Sequence, residues 1–280
     1  MKKIAILLTV FNRKELTIEC LNNIFNQQLP PSVILTIFLT DDGSTDGTSN
    51  IIKEKFPNVK IIHGNGSLYW NRGMWTAWDF ASKEDNFDAY LWLNNDTILR
   101  GNAINDMIIY SHHKNNKCII VGAVESSNGD QTTYGGYISG QRIDPNGELQ
   151  KVDYFNGNVV FVPRHVYDVL GNLDYYFRHG FGDFDYGLSA RKKGVTSYLT
   201  KNYVGKCDRH DKLNNWCNPN VPLKQRLHSL FLPTGYNPRE AFYFENKHYN
   251  LLFALFHQIT LWMRVLFPSL WIKMGHRAKP

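Results

Sequence analysis

The stretch Ile4-Ala-Ile-Leu-Leu-Thr-Val10, broken off by Phe11-Asn-Arg-Lys-Glu15, decides how the rest of this chain is read. Met1-Lys2-Lys3 ahead of it gives the profile of an export signal. The apolar run is only seven residues long, however, and charged residues stop it with no small-residue cleavage site. A short β-branched and aliphatic run that ends abruptly in polar residues is a buried strand with a polar tip.

Working outward, strand-like and helix-like stretches alternate through residue 125, the pattern of a parallel sheet covered by helices. Leu16, Cys20, Leu21, Ile24 and Phe25 recur at helical spacing before Pro30-Pro31. Val33–Leu39 is a second strand, and Thr45-Asp46 offers cap chemistry for a helix that Pro57 stops. Residues 59–62 make a third strand, 73–82 a helix, 89–93 a fourth strand, and 119–124 continue the sheet. Residues 126–150 read as hairpins and loops. A second α/β stretch follows, with a strand at 159–162, a helix opened by Pro163 and a helix near 184–193. The expected divisions are 1–125, a Rossmann-like half; 126–205, the second half of the same domain; and 206–280, a basic, aromatic helical extension.

The 280 residues are 43% hydrophobic and 20% charged, a globular composition. Four scattered cysteines make no disulfide framework and point to a reducing compartment. The net charge of +6 is lopsided: residues 1–190 hold 16 Lys and Arg against 21 Asp and Glu, and residues 191–280 hold 15 against 4. The basic third lacks a compact Lys/Arg cluster, so no nucleic-acid partner is expected. Its segment Tyr249–Trp271 is dense in Leu, Phe, Trp and Ile, yet its longest uncharged stretch falls short of the ~20 residues needed to cross a bilayer. A helix lying in the membrane interface is expected, anchored by Trp262, Trp271, Lys273, Arg277 and Lys279, with a helix packed on protein as the alternative.

Ligands of such sheets bind beyond the carboxyl ends of the strands. Asp41-Asp-Gly-Ser-Thr-Asp-Gly47 is a turn by composition, but Asp42 is a second carboxylate that could accept a hydrogen bond from a nucleobase imide. Asn94-Asn-Asp-Thr97 closes the strand Tyr90–Leu93. Asp96 with flanking amides suits a hard cation that keeps several waters and takes substrate phosphates. Gly64-Asn-Gly-Ser-Leu-Tyr-Trp-Asn-Arg-Gly-Met74 can set backbone amides, through Asn65 and Gly66, near phosphates or sugar hydroxyls. In that segment Arg72 could pair with a diphosphate, and Trp70 could stack on a sugar or simply join the core.

Thr9–Arg13, the Asp41–Thr48 run and Leu93–Thr97, in that order, resemble glycosyltransferase family 2. So do Asn156-Gly-Asn-Val-Val-Phe-Val-Pro-Arg164, Val169–Asp174 and Gly182-Asp-Phe-Asp-Tyr-Gly-Leu-Ser-Ala-Arg-Lys-Lys-Gly194; the likeness covers about residues 1–200. The resemblance implies a GT-A fold, a Rossmann-like mixed sheet flanked by helices, here with an amphipathic C-terminal helical extension; residues 1–125 would be its nucleotide-sugar-binding half and 126–205 its acceptor-binding half. It implies that Thr9, Phe11, Asn12 and Arg13 line the nucleotide pocket and that Asp42 reads the base. Asn94, Asn95 and Asp96 stand at the metal signature, whose first carboxylate is replaced by Asn94, and Asp96 would bind Mg or Mn on the diphosphate. Asp183 falls where the family keeps its general base, and Gly182 replaces the preceding acid. Asp185 is expected to be structural. His210 would contact metal or phosphate; a zinc site with Cys207 and Cys217 fits no standard spacing.

The implied enzyme is an inverting glycosyltransferase that uses a UDP- or dTDP-sugar. Its expected acceptor is a glycan on a polyprenyl diphosphate, as in capsule, O-antigen or exopolysaccharide assembly, at the cytoplasmic face of a membrane. The alternatives are a nucleotidyltransferase, against which the glycine-free Thr9–Arg13 loop argues, and a non-catalytic sugar- or lipid-binding module.

Overall fold

The computed structural model describes residues 2–209 and 213–273. Along the chain run β1 (Lys2–Val10), α1 (Lys14–Phe25), β2 (Val33–Asp41), α2 (Thr48–Lys55), β3 (Lys60–His63), α3 (Tyr69–Glu84) and β4 (Ala89–Leu93). Then come β5 (Ile98–Leu99), α4 (Ala103–His113), β6 (Cys118–Glu125), and the short strands β7 (Thr132–Tyr134), β8 (Gly136–Ile138), β9 (Gln141–Arg142), β10 (Gln150–Val152) and β11 (Tyr154–Phe155). The first unit closes with β12 (Val159–Pro163), α5 (Arg164–Leu170), α6 (Gly182–Lys192) and β13 (Thr196–Lys206).

The main sheet runs in the order β10-β13-β6-β12-β4-β1-β2-β3. Strand β1 is parallel to both β2 and β4, whereas β12 runs antiparallel between β4 and β6, which makes the sheet mixed. Alternation along β1 explains why both faces must be covered. Ile4, Ile6 and Leu8 enter one core cluster with Cys20, Ile52 and Met107 of α1, α2 and α4. Ala5 and Leu7 enter the other, with Trp78, Val166 and Ala190 of α3, α5 and α6. The result is a three-layer α/β domain.

Three helix starts differ from expectation. Helix α2 begins at Thr48 after a left-handed Gly47 (φ 84°), and Asp46 accepts hydrogen bonds from the Thr48 amide and hydroxyl. Helix α3 begins at Tyr69, four residues before Gly73. Gly73 has a packing purpose, because a side chain there would run into the Thr9 hydroxyl. Pro163 ends β12 and caps α5 rather than opening it.

The described residues up to Tyr175, together with Gly182–Arg209, form one compact unit; Tyr176–Phe181 and the described residues after Arg209 form a second. In the second unit, a short 3-10 turn (Asn215–Cys217) precedes α7 (Leu223–Phe231), α8 (Pro238–His248), α9 (Leu251–Leu266) and α10 (Pro268–Lys273). Asn237 and Asn250 accept amide hydrogen bonds at the starts of α8 and α9. Trp216, Leu230, Leu261 and Val265 pack at its centre, and the nearly buried Glu240 holds Arg178 at 2.6 Å. All four cysteines are buried free thiols. No helix among the described residues is long and apolar enough to cross a membrane.

Candidate active site

The tips of β1 and β2 are knitted together by Asn12. It holds a left-handed conformation (φ 50°) that asparagine tolerates better than most residues. Its backbone amide donates to Ser44 Oγ at 2.9 Å, and its side-chain oxygen accepts from the Thr45 amide at 2.7 Å. Asn12 therefore shapes the rim, a role the sequence reading did not assign. Thr9 faces α3 through Gly73. Phe11, 52% exposed, leaves an aromatic face open to solvent at the rim, as a base-stacking residue requires.

Asp42 is buried and already well supplied with donors. Its Oδ1 accepts from the Gly66 amide at 2.8 Å, and its Oδ2 accepts from the Leu68 and Tyr69 amides, each at 2.9 Å. These three bonds fold the 64–69 loop over the end of β2. The loop needs Gly66 at φ 82° and puts Tyr69 at φ 56°, an uncommon state for a bulky residue that the bond to Asp42 supports. Asn65 binds Ser67, and Asn65 and Gly66 stay exposed on the loop.

At the end of β4, Asn94 and Thr97 close a turn, with the Thr97 amide donating to the Asn94 carbonyl at 3.1 Å. Asn95 points the other way: it is buried, and its amide donates to Thr17 Oγ1 of α1 at 3.0 Å. The expected ligand contact from Asn95 is thus replaced by a packing one. Asp96 Oδ2 accepts from Arg13 Nη1 at 2.6 Å, and its Oδ1 lies 3.7 Å from the Cys207 thiol. Burial first, then the nearby Asp96 charge, pushes that thiol up to about 12, so Cys207 is a neutral donor rather than a thiolate.

Among the described residues no three His, Cys, Asp or Glu side chains converge on a point. A lone carboxylate fits a hard cation that takes its other ligands from water and substrate phosphate, and does not fit a closed zinc cage.

Asp183 stands in the first turn of α6, where the helix dipole favours a carboxylate. Its Oδ2 accepts from the Gly157 amide at 2.8 Å, and its Oδ1 accepts from its neighbour Phe184 at 2.9 Å. Burial nevertheless outweighs these bonds and raises the group from 3.8 to about 6. A carboxyl poised near neutrality is suited to take a proton.

Trp70 connects the two carboxylates. Its indole N–H donates to Asn94 Oδ1 at 2.7 Å, two residues before Asp96. Its ring also abuts Gly157: a Cβ there would lie 2.5 Å from the ring and 3.2 Å from the Asp183 Cβ. Gly157 was quoted in the sequence motif without a role, and its need for smallness shows only in three dimensions. Trp70 also stands edge-on to buried Trp92, 6.3 Å between centroids, so it reads as core and positioning residue at once.

Arg72 is held elsewhere: its Nε donates to the Tyr175 carbonyl at 3.0 Å and its guanidinium lies 4.7 Å from the Tyr175 ring. Asp185 is buried, in keeping with a structural part. His210 lies outside the described residues.

Comparisons with known proteins bear on the fold and the family. The chain is 25% identical over 126 residues to the Staphylococcus aureus (strain N315) poly(ribitol-phosphate) beta-N-acetylglucosaminyltransferase TarP, which covers 43% of this chain and 36% of that protein. It superposes on the crystal structure of S. aureus TarS with a TM-score of 0.57 at 13% identity, over 82% of this chain and 44% of that one. Against TarS residues 1–349 the TM-score is 0.56 at 12% identity, over 96% and 72%. The chain thus spans well under half of TarP and of the longer TarS chain, and the structural likeness speaks for the fold. Residues 5–169, more than half of the chain, match the profile of Glycosyl transferase family 2, and the protein belongs to that family.

Proposed function

We propose that this glycosyltransferase moves a sugar from a UDP- or dTDP-sugar to a hydroxyl of a bacterial surface glycan, with inversion at the anomeric carbon. The observation that carries the reading is Asp183, a carboxylate held by the Gly157 amide and raised to about 6, tied through Trp70 to the strand end that bears Asp96. In this scheme the acceptor hydroxyl attacks the anomeric carbon and passes its proton to Asp183. The bond to the diphosphate breaks on the opposite face and the electron pair leaves with the phosphate.

Phe11 stacks on the base, and Asp42 reads it. Asp96 would hold Mg or Mn, and such a cation, when bound, would stabilise the charge that grows on the leaving diphosphate. Arg13 leaves Asp96 as the phosphate arrives and turns its guanidinium to it. The likeness to TarP supports an acceptor among phosphate-containing surface polymers, and the basic C-terminal third supports one carried on a polyprenyl diphosphate at the cytoplasmic membrane face.

The test is a thermal-shift screen of UDP, dTDP, GDP, CDP and CMP with and without manganese, followed by donor turnover. One diphosphate is expected to raise the melting temperature with manganese, and Asp96→Ala to abolish that shift. Asp183→Asn is expected to keep the shift and lose turnover. A folded protein that responds to no nucleotide refutes the reading.

A further inference from the structure

The strongest feature outside the site is α9. At about 100° per residue, its positions sort into three sectors. Ala254, Leu261 and Val265 form a narrow inward stripe in the core of the second unit. His257, Thr260 and Arg264 make a polar flank: His257 meets Glu245 at 2.8 Å, and Arg264 lies 4.5 Å from the Trp271 ring. The third sector spans about 140° of the surface, and every position in it is apolar. Leu252 is 79% exposed, Ile259 62% and Phe256 61%, and Leu255, Met263 and Leu266 are exposed beside them. Phe267 and Leu270 continue the face onto α10, and the Phe231 ring of α7 sits 6.2 Å from that of Trp262.

An apolar face of this breadth is not left in water without a partner. Two facts select the partner. Beyond Glu245 the sequence holds five Lys and Arg and no Asp or Glu, so a second copy laid against this face brings like charges together, whereas an anionic surface attracts them. The sector also offers no hydrogen-bonding side chain except the Trp262 indole at its edge, while protein interfaces carry about one hydrogen bond per 100–200 Å². The 16 residues of α9 measure about 24 Å, short of the ~30 Å hydrocarbon core, so the helix cannot span a bilayer and fits flat in its interface.

We propose that α9 and α10 seat the protein on an anionic lipid bilayer, with Leu252, Phe256 and Ile259 dipping into the acyl boundary and the Lys and Arg of the C-terminal segment meeting the headgroups. This inference stands apart from the sugar-transfer reading: vesicle binding and nucleotide binding are measured separately, and either can fail alone.

The test is flotation of the 280-residue chain with phosphatidylglycerol-containing vesicles and with pure phosphatidylcholine vesicles. Binding is expected to the former, at least tenfold weaker to the latter, and weaker in high salt. The triple variant Leu252→Gln, Phe256→Gln, Ile259→Gln removes only exposed side chains. It is expected to keep its circular dichroism and melting temperature and to lose at least a hundredfold in partitioning. If the triple variant loses helix signal, Phe256→Gln alone, expected to bind about tenfold more weakly, takes its place. Wild-type protein that ignores anionic vesicles overturns the proposal, as does a folded variant that binds them equally well. A wild-type dimer that the triple variant turns into a monomer, with no vesicle binding by either, assigns the face to a second copy instead.

Discussion

Replacing Asp183 by asparagine isolates the electrostatics of the site. A carboxyl that titrates at about 6 in the fold against an ordinary 3.8 is destabilising once ionised. The difference corresponds to at most about 3 kcal/mol, and to roughly 2 kcal/mol after allowing for partial solvent access. Between pH ~4 and ~6 the native state holds a proton that the unfolded chain has released, so this group's contribution to wild-type stability falls as pH rises through that window and is level on either side. The variant has no such group, and every other carboxylate is common to both proteins. Wild-type stability minus variant stability should therefore drop by about 2–3 kcal/mol from pH 3.5 to pH 7.5. Any constant offset reflects the second amide that a single asparagine oxygen leaves unpaired, Gly157 or Phe184. Urea titrations at six pH values, followed by tryptophan fluorescence, give the curve. Turnover by the wild type should rise with pH through about 6, where the base sheds its proton. A difference that stays flat from pH 3.5 to 7.5 refutes the idea that burial sets the charge state of Asp183.

Two further substitutions probe the framework. Gly157→Ala places a methyl group 2.5 Å from the Trp70 ring and should cut turnover about a hundredfold, because Gly157, whose amide holds Asp183, and the Asn94 turn both meet that ring; nucleotide binding by thermal shift should change by less than threefold. Asp42→Ala strips three backbone amides of their acceptor and should lower stability by about 3 kcal/mol in urea unfolding, with Asp42→Asn between it and the wild type.

The fold was largely legible because its centre is written in uninterrupted apolar runs. Ala89–Leu93, buried at every position, is found where it was expected. Elements with mixed composition were not. Strand β13 carries Thr196, Thr200, Lys201 and Asn202 among its apolar residues and was read as no element at all. Helix α4 went unread even though Ile104, Met107, Ile108 and Ser111 repeat at helical spacing. The site divides in the same way. Asp42, Asp96 and Asp183 stand on local motifs at the ends of elements, which sequence order exposes. The partners that tune them, Arg13 on Asp96, Gly157 on Asp183 and three loop amides on Asp42, come from elsewhere in the chain, and only the folded strands bring them together. Arg72 and Asn95 were drawn toward the ligand by position alone, while their side chains face Tyr175 and Thr17.

The reversed strand β12 has a consequence for how this protein can move. Because it pairs directly with β4, the Asn158 carbonyl accepts from the Asn94 amide at 2.9 Å, one rung from the turn that carries Asp96 and one residue from the amide that holds Asp183. The backbone that joins the turn of Asp96 to the amide holding Asp183 is therefore a ladder, not a hinge. A motion confined to the 64–69 loop leaves these backbone rungs untouched. Insertions in the 126–150 hairpins should likewise leave those rungs in place.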